Sequence, residues 1–112
     1  MDAFNYARDL LDLGLFEEVK SLLHKTVPVA LRTLGDGHEL SLRLRWTYAA
    51  ALYADPSATL DDVREAVTML EDAARISQRV LGGAHPTTEG LKVCLRDGRA
   101  ALRIRETLSG SS

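Results

Sequence analysis

A short stretch of this chain occurs twice, and the repetition restricts the possible folds more than any other feature of the sequence. RTLGDGHEL at 32–40 is followed by RVLGGAHPT at 79–87. Four pairs of identical residues share one separation of 47 positions: Arg32 and Arg79, Leu34 and Leu81, Gly35 and Gly82, His38 and His85. Such regularity within nine residues indicates an internal repeat, and therefore a stack of equivalent units.

The composition favours helices and argues against several classes of function. Of the 112 residues, 46% are hydrophobic, only 5% are aromatic and three are prolines, which is typical of a helical globular domain. The net charge is −2, with acids and bases interleaved, so we expect binding neither to nucleic acid nor to a membrane. We also expect no signal peptide and no membrane-spanning segment. The lone Cys94 cannot form an internal disulfide, which favours a reduced, cytoplasmic setting.

The spacing of apolar residues predicts five helices. The clearest signal covers 59–83, where apolar residues recur at steps of three and four. Thr59 and Asp62 resemble a capping box at its start, and two glycines follow its last apolar residue. The other helices are predicted at about 2–13, 16–34, 39–54 and 86–108.

Two of these helices carry special features. Pro28 lies inside 16–34 and removes a backbone donor, which predicts a kink or a short break near 24–28. The helix at 39–54 has apolar residues on two sides, so it is expected to lie between neighbours in the middle of a stack.

The segment 5–35 resembles a tetratricopeptide repeat of the kinesin-light-chain-like variety. It carries a small residue at Ala7, a turn glycine at Gly14, Phe16 followed by two glutamates, and a terminal Leu-Gly. Repeats of this kind are joined by a Leu-Gly-x-x-His-Pro linker, which is intact here as LGGAHP and occurs earlier as LGDGHE, with Glu39 in place of the proline. The separation of 47 exceeds the usual period, and about five extra residues in ADPSATL, at 54–60, account for the difference.

The resemblance implies an all-α fold in which antiparallel helical hairpins stack as a short right-handed alpha-solenoid of about two and a half repeats. It divides a single domain, 1–108, into repeat 1 (about 2–37), repeat 2 (about 38–84) and a closing helix (about 85–108), with 109–112 as a disordered tail. Arg96 occupies a place where the repeat usually has alanine, and a cation there suits a terminal face in contact with water.

The resemblance also implies a function in protein–protein recognition, without catalysis and without a cofactor. In such stacks the first helix of each hairpin lines a concave groove that binds a peptide or a partner helix. The groove residues expected here are Phe4, Arg8, Asp12, Arg43, Trp46, Ala50 and Tyr53. Aromatic and guanidinium groups together suit a peptide with acidic and apolar side chains. Two other interpretations stay open: Trp46 as a core residue, and the arginines as a solvated face.

Self-association through the last helix is the alternative function. In this hypothesis the terminal helix docks onto a second copy through an apolar face formed by Leu91, Leu95, Ala101 and Leu102.

Catalytic and metal sites are not indicated by the residue pattern. His38 and His85 hold equivalent linker positions, which favours a helix-capping role, and no Cys or His pair has zinc spacing. Cys94 lies on an apolar stripe and is expected to be a buried thiol.

Overall fold

The computed structural model describes residues 3–110, with side chains from 7 to 108. This part of the chain contains no strand and five helices: α1 (Ala3–Asp12), α2 (Phe16–Leu34), α3 (Glu39–Ala54), α4 (Leu60–Val80) and α5 (Pro86–Gly110). The predicted all-α fold is confirmed. The last helix continues to Gly110, two residues farther than predicted, and 111–112 of the predicted tail lie outside the described residues. None of the five helices is both long enough and apolar enough to cross a membrane.

The helices form two layers with α3 at the centre. Each helix packs on the next along the chain, and the odd-numbered helices also touch one another, α1 with α3 and α3 with α5. One apolar core lies between α1, α2 and α3 and includes Leu23, while a second lies between α3, α4 and α5 and includes Leu70. Both leucines are completely buried, and they are equivalent at the offset of 47. The prediction that α3 is covered on two sides is confirmed.

The two linkers have the same local structure. Gly35 and Gly82 both adopt positive φ, at 90° and 93°, a conformation that favours glycine at the end of a helix. The Nδ1 atom of His38 accepts a hydrogen bond from the Leu40 amide, and that of His85 accepts one from the Thr87 amide, each at 3.1 Å. Both histidines therefore cap the helix that follows them, which confirms the capping interpretation.

Of the kink or short break predicted near 24–28, the break is not present in α2. The helix continues without interruption through Pro28, from Phe16 to Leu34. Pro28 cannot donate to the carbonyl of His24, but both residues are exposed, so water can satisfy that carbonyl group. The helix thus tolerates the proline because it lies on the solvent side.

The extra residues before α4 are held from several sides. The carboxylate of Asp55 accepts hydrogen bonds from the Ser57 amide at 2.8 Å and from Nζ of Lys20 on α2 at 2.9 Å. From α5, the guanidinium of Arg105 donates to the carbonyl of Ala58 and to that of Asp55. The insertion is therefore tied to both α2 and α5.

The far face of α5 differs from the matching face of α3. Ala49 and Leu52 are buried in the second core, but their equivalents at the offset of 47 are Arg96 and Arg99, which are exposed. The side chain of Arg96 is 76% exposed, as expected for a terminal face in contact with water. Thus α3 buries Ala49 and Leu52 in the core, whereas the equivalent positions of α5 carry exposed cations.

The proposed self-association face needs one correction. Leu91 was expected to be partly open, but its side chain is completely buried in the core between α3, α4 and α5. Its equivalent in the preceding repeat, Leu44, is likewise buried, on the side of α3 that faces α1 and α2. Leu91 therefore points back toward the preceding hairpin and cannot contact a second copy.

Candidate functional site

An open cavity of about 530 Å³ lies across the three odd-numbered helices, and we call it the groove. Its walls come from α1, α3 and α5, the helices expected to line a concave surface. The lining residues are Arg8, Leu11, Trp46, Ala50, Tyr53, Pro86, Glu89, Gly90, Val93, Cys94 and Asp97. Four of the seven residues that the sequence suggested lie here together, namely Arg8, Trp46, Ala50 and Tyr53.

Of the other three suggested residues, Arg43 and Asp12 do not line the groove. The Nη2 atom of Arg43 lies 2.6 Å from a carboxylate oxygen of Glu39, and its Nε donates to the Thr87 hydroxyl at 3.3 Å. Arg43 therefore links the start of α3 to the start of α5. Asp12 is exposed at the end of α1, outside the lining of the groove. The side chain of Phe4 lies outside the described residues.

Trp46 forms the floor of the groove and also touches the core. Its ring is partly buried and packs against the cluster between α3, α4 and α5. The guanidinium of Arg8 lies over the indole, 5.9 Å from the ring centroid, in a cation–π arrangement. On α5, Gly90 approaches the ring so closely that a Cβ atom there would lie 2.2 Å from Cη2 of the indole. Trp46 thus both lines the groove and packs against the core, the two positions that the sequence left open.

A tyrosine and a cysteine meet next to Trp46. The hydroxyl of Tyr53 and Sγ of Cys94 are 3.3 Å apart, and only 5% of Cys94 is exposed. Burial raises the pKa of the Cys94 thiol, so it stays protonated at neutral pH and is a poor nucleophile. Burial, and then the contact with Cys94, raises the pKa of Tyr53. The expectation of a buried thiol is confirmed.

The wall contributed by α5 went unnoticed in the sequence. Glu89, Val93 and Asp97 follow one another at steps of four, so they form one stripe along α5, and all three line the groove. The internal repeat contained a signal for two of them. At the offset of 47, Val93 and Asp97 are equivalent to Trp46 and Ala50, which were selected on α3.

Gly90 provides a direct test of the floor. We expect Gly90→Ala to push the indole of Trp46 out of place and to lower the free energy of unfolding by about 1–2 kcal/mol. A contact of 2.2 Å places the cost of overpacking in the upper part of its usual range, about 2–3 kcal/mol, from which alanine in a helix recovers about 1 kcal/mol. Trp46 is the one tryptophan of the chain, so its fluorescence spectrum reports the displacement.

Gly98 on the same helix is the matched control. A Cβ atom at Gly98 would meet Leu70 Cδ1 at 3.4 Å, an ordinary contact. Gly98→Ala should therefore raise the free energy of unfolding by up to about 1 kcal/mol and leave the fluorescence spectrum unchanged. Equal effects of the two substitutions would contradict the close approach of Gly90 to Trp46.

In the described part of the chain, no three His, Cys, Asp or Glu side chains come together in a way that could hold a metal ion.

The groove combines an aromatic floor, apolar contacts and three charged side chains. Such a surface can bind another molecule by packing and by charge.

Comparison with known proteins identifies one matching segment. Residues 58–87 match a family model described as tetratricopeptide repeat. The match extends from the end of the insertion, through the whole of α4 and the LGGAHP linker, into the first turn of α5. No curated protein and no solved structure matches the chain significantly.

Proposed function

Because this chain is a tetratricopeptide repeat protein, we propose that it binds a peptide or a partner helix in the groove and has no catalytic activity of its own. The family consists largely of protein–protein interaction modules. The observation that supports the proposal most strongly is the partly buried indole of Trp46, on the floor between α1 and α5. We further propose that the chain acts within a larger adaptor or scaffold.

The properties of Trp46 fit a binding centre. Tryptophan provides a large apolar contact area and is enriched among the residues that contribute most to protein interfaces. Here Arg8 lies over the ring, and Gly90 approaches its Cη2 atom. A ring held in one orientation loses little conformational entropy on binding, which favours affinity.

The test uses a displayed library of random peptides, selected on the full chain. We expect Trp46→Ala to lower the affinity for the selected peptides by at least about thirtyfold. Far-UV circular dichroism should show unchanged helicity. Met69→Ala is the matched control, because Met69 is partly buried on α4 and lies outside the groove. Equal binding by wild type and Trp46→Ala would show that the groove is not the binding site.

Self-association through α5 is the alternative proposal. Leu95, Ala101 and Leu102 are partly buried and would form the contact, without Leu91. We rank it second, because the exposed Arg96 and Arg99 would oppose their counterparts or lose hydration in such a contact. Sedimentation from micromolar to millimolar protein tests it, and a monomer throughout would exclude it.

A further inference from the structure

We propose, on the basis of the peptide-binding function above, that the bound segment carries a lysine or arginine next to an apolar side chain. The apolar side chain packs on Trp46, and the cation faces the stripe of Glu89, Val93 and Asp97 on α5. This assignment reverses the sign of charge that the arginines suggested from sequence alone.

The stripe on α5 has the form that a basic side chain requires. Glu89 and Asp97 are eight residues apart, which corresponds to about 12 Å along a helix axis. Both acids are exposed, and Val93 between them is 47% exposed. Lysine and arginine have long apolar stems that pack along such a surface while the charged end stays in water next to a carboxylate.

The arginines offer little attraction for an acidic ligand. Arg43 lies outside the lining of the groove, against Glu39 and Thr87. Among the described residues that line it, the groove contains one cation, Arg8, and two carboxylates, those of Glu89 and Asp97. The carboxylate of Asp97 lies 4.0 Å from Nε of Arg96, and an ion pair this exposed is weak.

The negative charge of Asp97 also acts on two residues beside Trp46, Tyr53 and Cys94. Asp97 acts in the direction that raises the pKa of both Tyr53 and Cys94, in addition to the larger effect of burial. Both groups line the same cavity as the acidic stripe. Arg8 acts on Cys94 in the opposite direction, but two carboxylates and one guanidinium line the described part of the groove, which favours a cation from the ligand.

The experiment starts from peptides of the random library whose binding is lost in Trp46→Ala. We expect these peptides to be enriched in lysine or arginine adjacent to leucine, isoleucine or an aromatic residue. In the double variant Glu89→Gln/Asp97→Asn, their affinity should fall by about tenfold, because each exposed charge contact contributes up to about fivefold. The affinity should also become less sensitive to salt.

The matched control is Glu18→Gln/Asp36→Asn, which removes the same charge from exposed positions outside the groove. Affinity in this control should stay within about twofold of wild type. Trp46-dependent peptides that are acidic, or an equal loss in both double variants, would overturn the inference and leave the peptide-binding function standing.

Two other outcomes are also decisive. If no peptide binds in a Trp46-dependent way, the proposed function fails and the inference fails with it. If the free protein sediments as a dimer that Glu89→Gln/Asp97→Asn dissociates, the groove holds a second copy of this chain, and the peptide assignment is overturned.

Discussion

Leu70→Ala is expected to lower the free energy of unfolding by about 2–5 kcal/mol, the range for a buried leucine whose removal leaves a cavity. Leu70 is completely buried in the core that joins α3, α4 and α5. Because a domain of this size has a total stability of about 5–15 kcal/mol, this one substitution removes a large part of it. Urea unfolding followed by far-UV circular dichroism measures the change.

The repeat supplies an internal comparison for this prediction. Leu23 is equivalent to Leu70 at the offset of 47 and is also completely buried, in the core between α1, α2 and α3. Leu23→Ala should therefore cost a similar amount. Leu108 is 68% exposed, and Leu108→Ala should change the stability by no more than about 0.5 kcal/mol. A cost for Leu70→Ala no greater than that for Leu108→Ala would show that the second core is not formed as described.

Asp55→Ala is expected to cost about 2–3 kcal/mol, although it removes a charged residue from a loop. The carboxylate is buried, with hydrogen bonds from the Ser57 amide and from Lys20. Its removal leaves the amide unsatisfied and Lys20 with Glu17 alone as its ionic partner. Asp36→Ala is the control, since Asp36 is exposed in the linker between α2 and α3, and it should be nearly neutral.

The difference in the free energy of unfolding between wild type and Asp55→Ala should depend on pH. The hydrogen bond from Ser57, followed by that from Lys20, holds the pKa of Asp55 below its ordinary value of 3.8. A lowered pKa in the folded state means that the ionised group stabilises the fold above that ordinary value. This stabilisation is lost as the pH falls through the lower folded-state pKa. The difference between wild type and Asp55→Ala should therefore be full at neutral pH and smaller in acid, and a constant difference would contradict the assigned contacts.

The helices were predictable because their signals are short-range. Capping at Thr59, at His38 and at His85 involves partners two or three residues away, and each was visible in the sequence. The positive φ at Gly35 and Gly82 likewise follows from the place of glycine at a helix end. Backbone hydrogen bonds within a helix join residues four positions apart, so a short stretch of sequence is enough to predict them.

The membership of the groove was only partly predictable. The resemblance to a tetratricopeptide repeat implied that Arg8, Trp46 and Ala50 line a groove, but it gave no distances between α1, α3 and α5. Arg43 is on a helix that lines the groove, yet its side chain turns to Glu39 and Thr87. The direction that a long side chain takes depends on partners that are distant in sequence but close in the fold.

By itself, then, the sequence determined the repeat, the number and type of the helices and the caps at their ends, since these depend on contacts within a few residues. Tertiary structure alone decided that Leu91 is buried, that Gly90 meets the Trp46 ring and that Asp55 is held by Lys20, 35 residues away, and by Arg105, 50 residues away. It also decided that α2 tolerates Pro28, because packing left that side of the helix in water. The physical reason is the same in each case: local hydrogen bonds select a helix, whereas burial and pairing depend on how helices distant in sequence come to lie side by side.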